Sequence, residues 1–193
     1  KELPVNKYLP LTFCLLAASV TPVVANASSA HVGYESVSIS SVSLTGLSAS
    51  GSLDISDDIS LELWSGSADT TVSGIKVELA QTDVGIGYNT KLGDALDLKV
   101  FAVHVNQTLT ASWSGYVQQI DFGAATGFGA SVKAELTDNV DGLLGFRKLN
   151  RSDSTLSTMF GISVGVSNTM DLTVSSTGNS TLKRTTIGLR YNF

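Results

Sequence analysis

Residues 119–136 read QIDFGAATGFGASVKAEL. Taken in twos, Ile120, Phe122, Ala124, Thr126, Phe128, Ala130, Val132, Ala134 and Leu136 fall on one side. Gln119, Asp121, Gly123, Ala125, Gly127, Gly129, Ser131, Lys133 and Glu135 fall on the other. Successive side chains of a strand point to opposite faces, so this is a strand with one apolar and one polar or small face. It outruns the usual ~5–6 residues of a globular strand. It also exceeds the ~9–11 residues that cross a bilayer at a tilt.

The same alternation closes the chain. Ile187, Leu189, Tyr191 and Phe193 share one face, and Thr186, Gly188, Arg190 and Asn192 the other. Between such segments stand tight polar turns at Ser56-Asp57-Asp58, Gly93-Asp94, Asp138-Asn139 and Asn168-Thr169. Each is flanked by alternating strands, as a hairpin turn should be. Longer Ser, Thr, Gly and Asp stretches, 65–74, 106–115, 150–155 and 175–180, read as loops at the opposite end. Ten strands result, near 31–39, 42–55, 59–66, 75–92, 96–106, 117–136, 140–149, 156–167, 170–176 and 183–193. Eight is the alternative, if 31–39 is only a leader and another segment is misread. Parity breaks inside 75–92, where Ile75, Val77 and Leu79 are odd but Val84, Ile86 and Tyr88 are even. A bulge near Gln81 would account for it.

Composition points the same way. Of 193 residues 15% are charged, against ~25% in a typical soluble domain, with 18 Gly and 3 Pro. Mean hydropathy is +0.21, yet no apolar run reaches the ~18 residues of a membrane helix. A net charge of −5 and a pI near 4.8 leave no basic stripe for a nucleic-acid backbone. The single cysteine, Cys14, excludes disulfide frameworks and CxxC sites. Two histidines, His31 and His104, leave little for a histidine metal site. No cofactor is implied.

The first residues read as an address. Lys1 and Lys7 precede an apolar core, Leu9 to Ala18, and small residues lead to Ala25-Asn26-Ala27. A basic start, a short apolar core and an A-x-A site describe a secretory signal peptide, expected over 1–27 with cleavage after Ala27 and Ala30 as the alternative. The core is too short for an anchor, and Phe13 is too large to precede a lipoprotein cysteine at Cys14. Residues 28–193, with their alternating strands, are expected to form a single β domain.

The closing Gly188-Leu189-Arg190-Tyr191-Asn192-Phe193 resembles the last strand of Gram-negative outer-membrane β-barrel proteins. The hairpin organisation is similar to the small porin-like or OmpA-like barrels, with short turns at one end and longer loops at the other. The resemblance implies that Leu189, Tyr191 and Phe193 form the signal read by the barrel-assembly machinery. It also implies an outer-membrane location, outer-membrane lipid around the barrel and a possible surface ligand at the outer loops. No OmpA-type peptidoglycan-binding domain is expected after the last strand. In hydrocarbon an unpaired backbone group costs several kcal/mol, so a spanning sheet must close. The fold expected is an all-β, closed antiparallel up-and-down barrel; a secreted sandwich or propeller is the soluble alternative.

The inward face decides whether such a barrel conducts. Asp54, Glu62, Glu78, Asp83, Asp97, Asp121, Glu135, Asp141 and Asp171 are placed inside, with Lys76, Lys91, Lys99, Lys133, Arg147, Arg184 and Arg190. Glu62, Asp83, Lys91, Asp121, Lys133, Arg147 and Arg190 are the lumen charges singled out. Glu35 is left out, because it shares parity with Val37 and Ile39. Acids and bases in a narrow lumen should pair, since a lone buried charge is costly. Inward Gly123, Gly127, Gly129, Gly161 and Gly165 would make room for long Arg and Lys side chains.

Small barrels fill their interiors, whereas wide channels need ~16–18 strands. The function expected is a structural or surface-interaction barrel with a salt-bridged lumen; a passive porin-like channel is the alternative. No enzyme is expected. His104 is the sole rim candidate, with Asp69 and Asp153 in other loops, and a lone rim His has no converging partners. Gly85-Ile86-Gly87 and Gly127-Phe128-Gly129 lack the helix a phosphate loop needs. The acceptor patterns at Asn106 and Asn179 are accidental in a bacterial setting.

Overall fold

The computed structural model describes residues 28–151 and 156–193. Among them run ten strands: β1 (Ser29–Ile39), β2 (Val42–Asp54), β3 (Ile59–Val72), β4 (Ile75–Lys91), β5 (Leu96–Trp113), β6 (Tyr116–Thr137), β7 (Val140–Leu149), β8 (Ser157–Ser167), β9 (Met170–Gly178) and β10 (Leu182–Asn192). Each pairs antiparallel with its sequence neighbours, and β1 also pairs with β10 from Ser29↔Asn192 to Ile39↔Leu182. The sheet is therefore a closed up-and-down barrel of ten strands. Closure sets aside the eight-stranded, sandwich and propeller alternatives.

Strand lengths differ from the sequence expectation at the end opposite the termini. Residues 65–72 and 106–113, read as loops, continue β3 and β5. The turns that follow have only two residues, Ser73-Gly74 (φ 51° and 81°) and Ser114-Gly115 (φ 43° and 83°). Two successive positive φ values are what a type I′ hairpin turn demands, and Gly at the second position meets half that demand without strain. β3 to β6 thus rise well above the rest of the barrel as a four-stranded crown.

The bulge near Gln81 is not there. β4 keeps one register with β3 from Val72↔Ile75 to Ile59↔Tyr88, and with β5 from Lys76↔Ser112 to Lys91↔Asp97. The parity break has another cause: the apolar face changes sides. Near the termini the outward side chains are apolar on every strand, for example Val32 and Tyr34, Ile59, Ile86 and Tyr88, Phe128, Ile162, and Ile187 and Leu189, where large side chains stand exposed. Further along, the outward positions turn polar at one row around the barrel: Ser36, Thr45, Ser65, Thr82, His104, Thr126, Lys148, Thr158, Ser176 and Thr185. Beyond that row the apolar residues point inward. Val37, Leu44, Ala68 and Leu79 are buried there, packed with Ile39, Val42, Val77, Leu109 and Leu182.

Solvent explains the inversion. A wall with hydrocarbon outside must carry its apolar side chains outward, and one with water outside must carry them inward. Tyr88 and Tyr191 lie near one margin of the outward apolar band, and Tyr34, Phe128 and Phe160 near the other. Aromatic rows at both margins are what interfaces favour.

Register shifts do occur elsewhere, between Asn106/Thr108 on β5, Glu135/Thr137 on β6 and Gly165/Ser167 on β8. The first matters most. Ala124 lies opposite Asn106, but Asp121 lies opposite Thr108, so parity on β6 flips through Phe122 and Gly123. Gly123 takes a φ of 70° to make that step.

Candidate functional site

Along the inner face of the barrel a series of charged side chains meets in pairs. Deepest is Glu35 on β1, with its carboxylate 3.3 Å from Nε of Arg184 on β10. Glu35 is 0% exposed. The Arg184 guanidinium also lies 4.2 Å from the ring centroid of Trp64 on β3, a cation–π contact. A Cβ on Gly66 would come within 2.5 Å of that indole, so glycine is what lets the ring lie flat against the wall. Next to this group Arg147 on β7 reaches across the lumen to Asp83 on β4, with Nη1 2.7 Å from Oδ2. Gln81 donates to the other oxygen of Asp83 at 2.7 Å.

Nearer the termini the pattern repeats. Arg190 donates from Nε to Asp171 at 2.9 Å and from Nη2 to the Ser163 hydroxyl at 3.1 Å. Asn192 donates to the same Asp171 oxygen at 2.9 Å. Lys133 sits 3.4 Å from Asp97 and 3.8 Å from Asp141. Lys99 contacts Glu62, and His31 bonds the Thr173 hydroxyl at 2.8 Å. Above these polar groups lies the buried Val37, Leu44, Ala68 and Leu79 cluster. The order along the axis is ion pairs first, apolar cluster second.

Some inward placements need correction. Asp121 faces outward, because the flip through Gly123 puts it beside Thr108; its carboxylate accepts from the Gly123 N–H at 2.8 Å. Lys76 and Glu78 also face outward, since β4 has no bulge to turn them in. They bond each other at 3.1 Å, with Asp69 3.5 Å from Lys76. Hydrogen bonding to Glu78, with the Asp69 charge adding, holds the Lys76 ammonium above the usual lysine range. Lys91 is inward, opposite Asp97, but forms no ion pair among the described residues. Glu35, excluded on parity, is the most buried charge among the described residues; Val37 shares its face because β1 crosses the inversion row between them. Of the five inward glycines named from the sequence, none has a Lys or Arg side chain as its near neighbour, and Gly127 and Gly129 make room for an aliphatic and an aromatic side chain. A Cβ on Gly129 would meet Phe101 at 2.4 Å, and one on Gly127 would meet Leu149 at 2.7 Å.

The remaining candidates are dispersed. His104 is exposed on the outward face between Val84 and Thr126. Asp69 lies two strands away and six residues further along, about 20 Å at ~3.3 Å per residue. Asp153, Ala25 and Ala27 lie outside the described residues. Among the described residues no group of three or more His, Cys, Asp or Glu is placed to hold a metal. Leu189 and Tyr191 face outward on β10. Phe193 follows them, its N–H donating to the Ser28 carbonyl at 3.0 Å and its ring 5.9 Å from that of Tyr191.

No family model and no curated protein matches the chain in sequence. Solved structures match in fold. The attachment invasion locus protein Ail of Yersinia pestis, solved with the heparin analogue sucrose octasulfate, superposes with a TM-score of 0.50 at 11% identity, over 88% of this chain and 100% of that one. A KdgM porin superposes with a TM-score of 0.50 at 9% identity, over 84% of this chain and 99% of that one. At such identities the likeness is one of fold, and the fold is that of outer-membrane β-barrels.

Proposed function

We propose that this chain is an integral protein of the bacterial outer membrane, with a closed lumen and a structural or surface-interaction role. The observation that carries the reading is the stacking of two unlike seals along one axis. A charge pair crosses the lumen from β7 to β4, a second lies on the inner wall where β1 meets β10, and fully buried aliphatic side chains lie above them. Water entering from the far end would have to breach an apolar layer before reaching the ion pairs. Export through a signal peptide at 1–27 and insertion by the barrel-assembly machinery would bring the chain to that membrane. No catalytic role is assigned, because no set of side chains converges on a reacting position.

A passive porin-like channel is the second reading. It draws on one observation: the inner positions of β8 and β9 are small, with Gly161, Ser163, Gly165, Thr173 and Ser175 on that side. Planar-bilayer recording of the refolded protein separates the two. A closed lumen gives conductance near zero, which rises when Arg147→Ala and Arg190→Ala are combined. Steady wild-type channels, whose ion selectivity the double substitution shifts, would establish the channel instead.

A further inference from the structure

The β5–β6 hairpin outlasts its neighbour. β7 ends at Leu149, opposite Gly127, and one further backbone bond, Asn150 N–H to Thr126 O at 2.7 Å, closes the junction. Arg151 covers the next stretch. Its Nη2 donates to the Gly123 carbonyl at 2.9 Å and its Nη1 to Gln107 at 3.0 Å, with the guanidinium 5.9 Å from the Phe122 centroid. Above the bulge, Tyr116-Val117-Gln118-Gln119-Ile120-Asp121 pairs with β5 on one side, and no described residue pairs with its other side.

A free edge is a row of unpaired N–H and C=O groups, and proteins ordinarily blunt it with Lys, Pro, bulges or short length. This segment has no Lys, Arg or Pro, and the nearby bulge lies below it. The crown's other edge is shorter: β3 runs only from Thr70 to Val72 past its last pair with β2. Tyr116, Val117 and Ile120 stand exposed on the long edge, at 69%, 56% and 47%.

We propose that Tyr116–Asp121 is a docking edge for an extended segment of another protein, which adds antiparallel to β6 outside the membrane. Backbone N–H and C=O in register are complemented by another peptide backbone and by little else. Side chains narrow the partner further. An apolar residue fits opposite Ile120, and one without negative charge fits opposite Asp121, two positions that lie on opposite faces of the strand. A second copy in the same bilayer fits poorly, because its β6 runs in the same direction and cannot pair antiparallel, and its β3, which runs the opposite way, offers only Thr70–Val72 as an edge. This inference rests on the surface-interaction reading but not on a closed lumen, so conductance and docking fail separately.

The test uses the refolded full chain in lipid nanodiscs and a dye-labelled peptide VNQTLTASW, the sequence of residues 105–113 that already pairs with this strand from the other side. Saturable binding is expected, with slowed amide exchange confined to 116–121. Val117→Lys and Ile120→Lys should each weaken binding about tenfold or more, while Ser38→Lys on β1 leaves it unchanged. Heat-modifiable mobility shows that each variant is folded. Equal binding of a scrambled peptide, or unchanged affinity in both edge variants, would overturn the proposal. So would a dimer of the protein that Val117→Lys dissolves, which would assign the edge to a second copy.

Discussion

Arg184 and Glu35 face each other across the β1–β10 seam at 3.3 Å, with Trp64 on β3, two strands from β1, lying over the guanidinium. Neither charge has bulk water to fall back on. Glu35→Gln or Arg184→Leu alone should therefore destabilise by about 3–5 kcal/mol, because each strands the other charge. Replacing both with apolar residues of similar volume should restore much of that loss. Urea refolding titrations of the two single variants and the double variant measure it; equal losses in singles and double would refute the coupling.

The apolar cluster makes a different demand. Leu79 is almost wholly buried inside the crown, whereas Ile86 on the same strand faces outward and is exposed. Leu79→Ala in the refolded protein should cost about 2–5 kcal/mol through lost contacts and a cavity. Ile86→Ala should cost less, since hydrocarbon fills the space the side chain leaves. A reversed order in the same titration would place the inversion row elsewhere.

Adjacent positions on β6 test the faces directly. Ala130 is outward and Ser131 inward on a stretch that keeps its register with β5 and β7. Ala130→Arg should destabilise by ~2–4 kcal/mol at mid-bilayer. Ser131→Arg should respond differently, through crowding among the lumen groups. Indistinguishable refolding curves would sink the assignment.

Phe193 ends the outward apolar series of β10 and is tied to Ser28 at the seam. If the assembly machinery reads this terminus, deleting Phe193 or replacing it with Asp should lower outer-membrane levels and increase periplasmic degradation. Fractionation with heat-modifiable mobility reports both. Undiminished folded protein in the outer-membrane fraction would rule the role out.

Alternation made ten strands and a closed barrel legible, since period two survives wherever one wall faces lipid. It misled where the surroundings changed. A flip in apolar parity has two possible origins, an inserted residue or a change of solvent, and the residues alone look the same in both. On β4 the origin is solvent; on β6, at Phe122 and Gly123, it is an insertion. Glu35 was hidden for the first reason and Asp121 was misplaced for the second. Ser-Gly at 73–74 and 114–115 was a usable signal for tight hairpins, masked by the Ser and Thr that surround it. Which acid meets which base was not legible, because Arg147–Asp83 joins strands three apart across the lumen.

The row from Ser36 round to Thr185 also fixes the height at which the barrel floats. Raising the molecule by one residue pair would lift outward Leu, Ile and Phe into water. Lowering it would submerge His104, Lys148 and a belt of hydroxyls in hydrocarbon, at a cost repeated on all ten strands. The barrel carries its own waterline, and the crown is what stands above it.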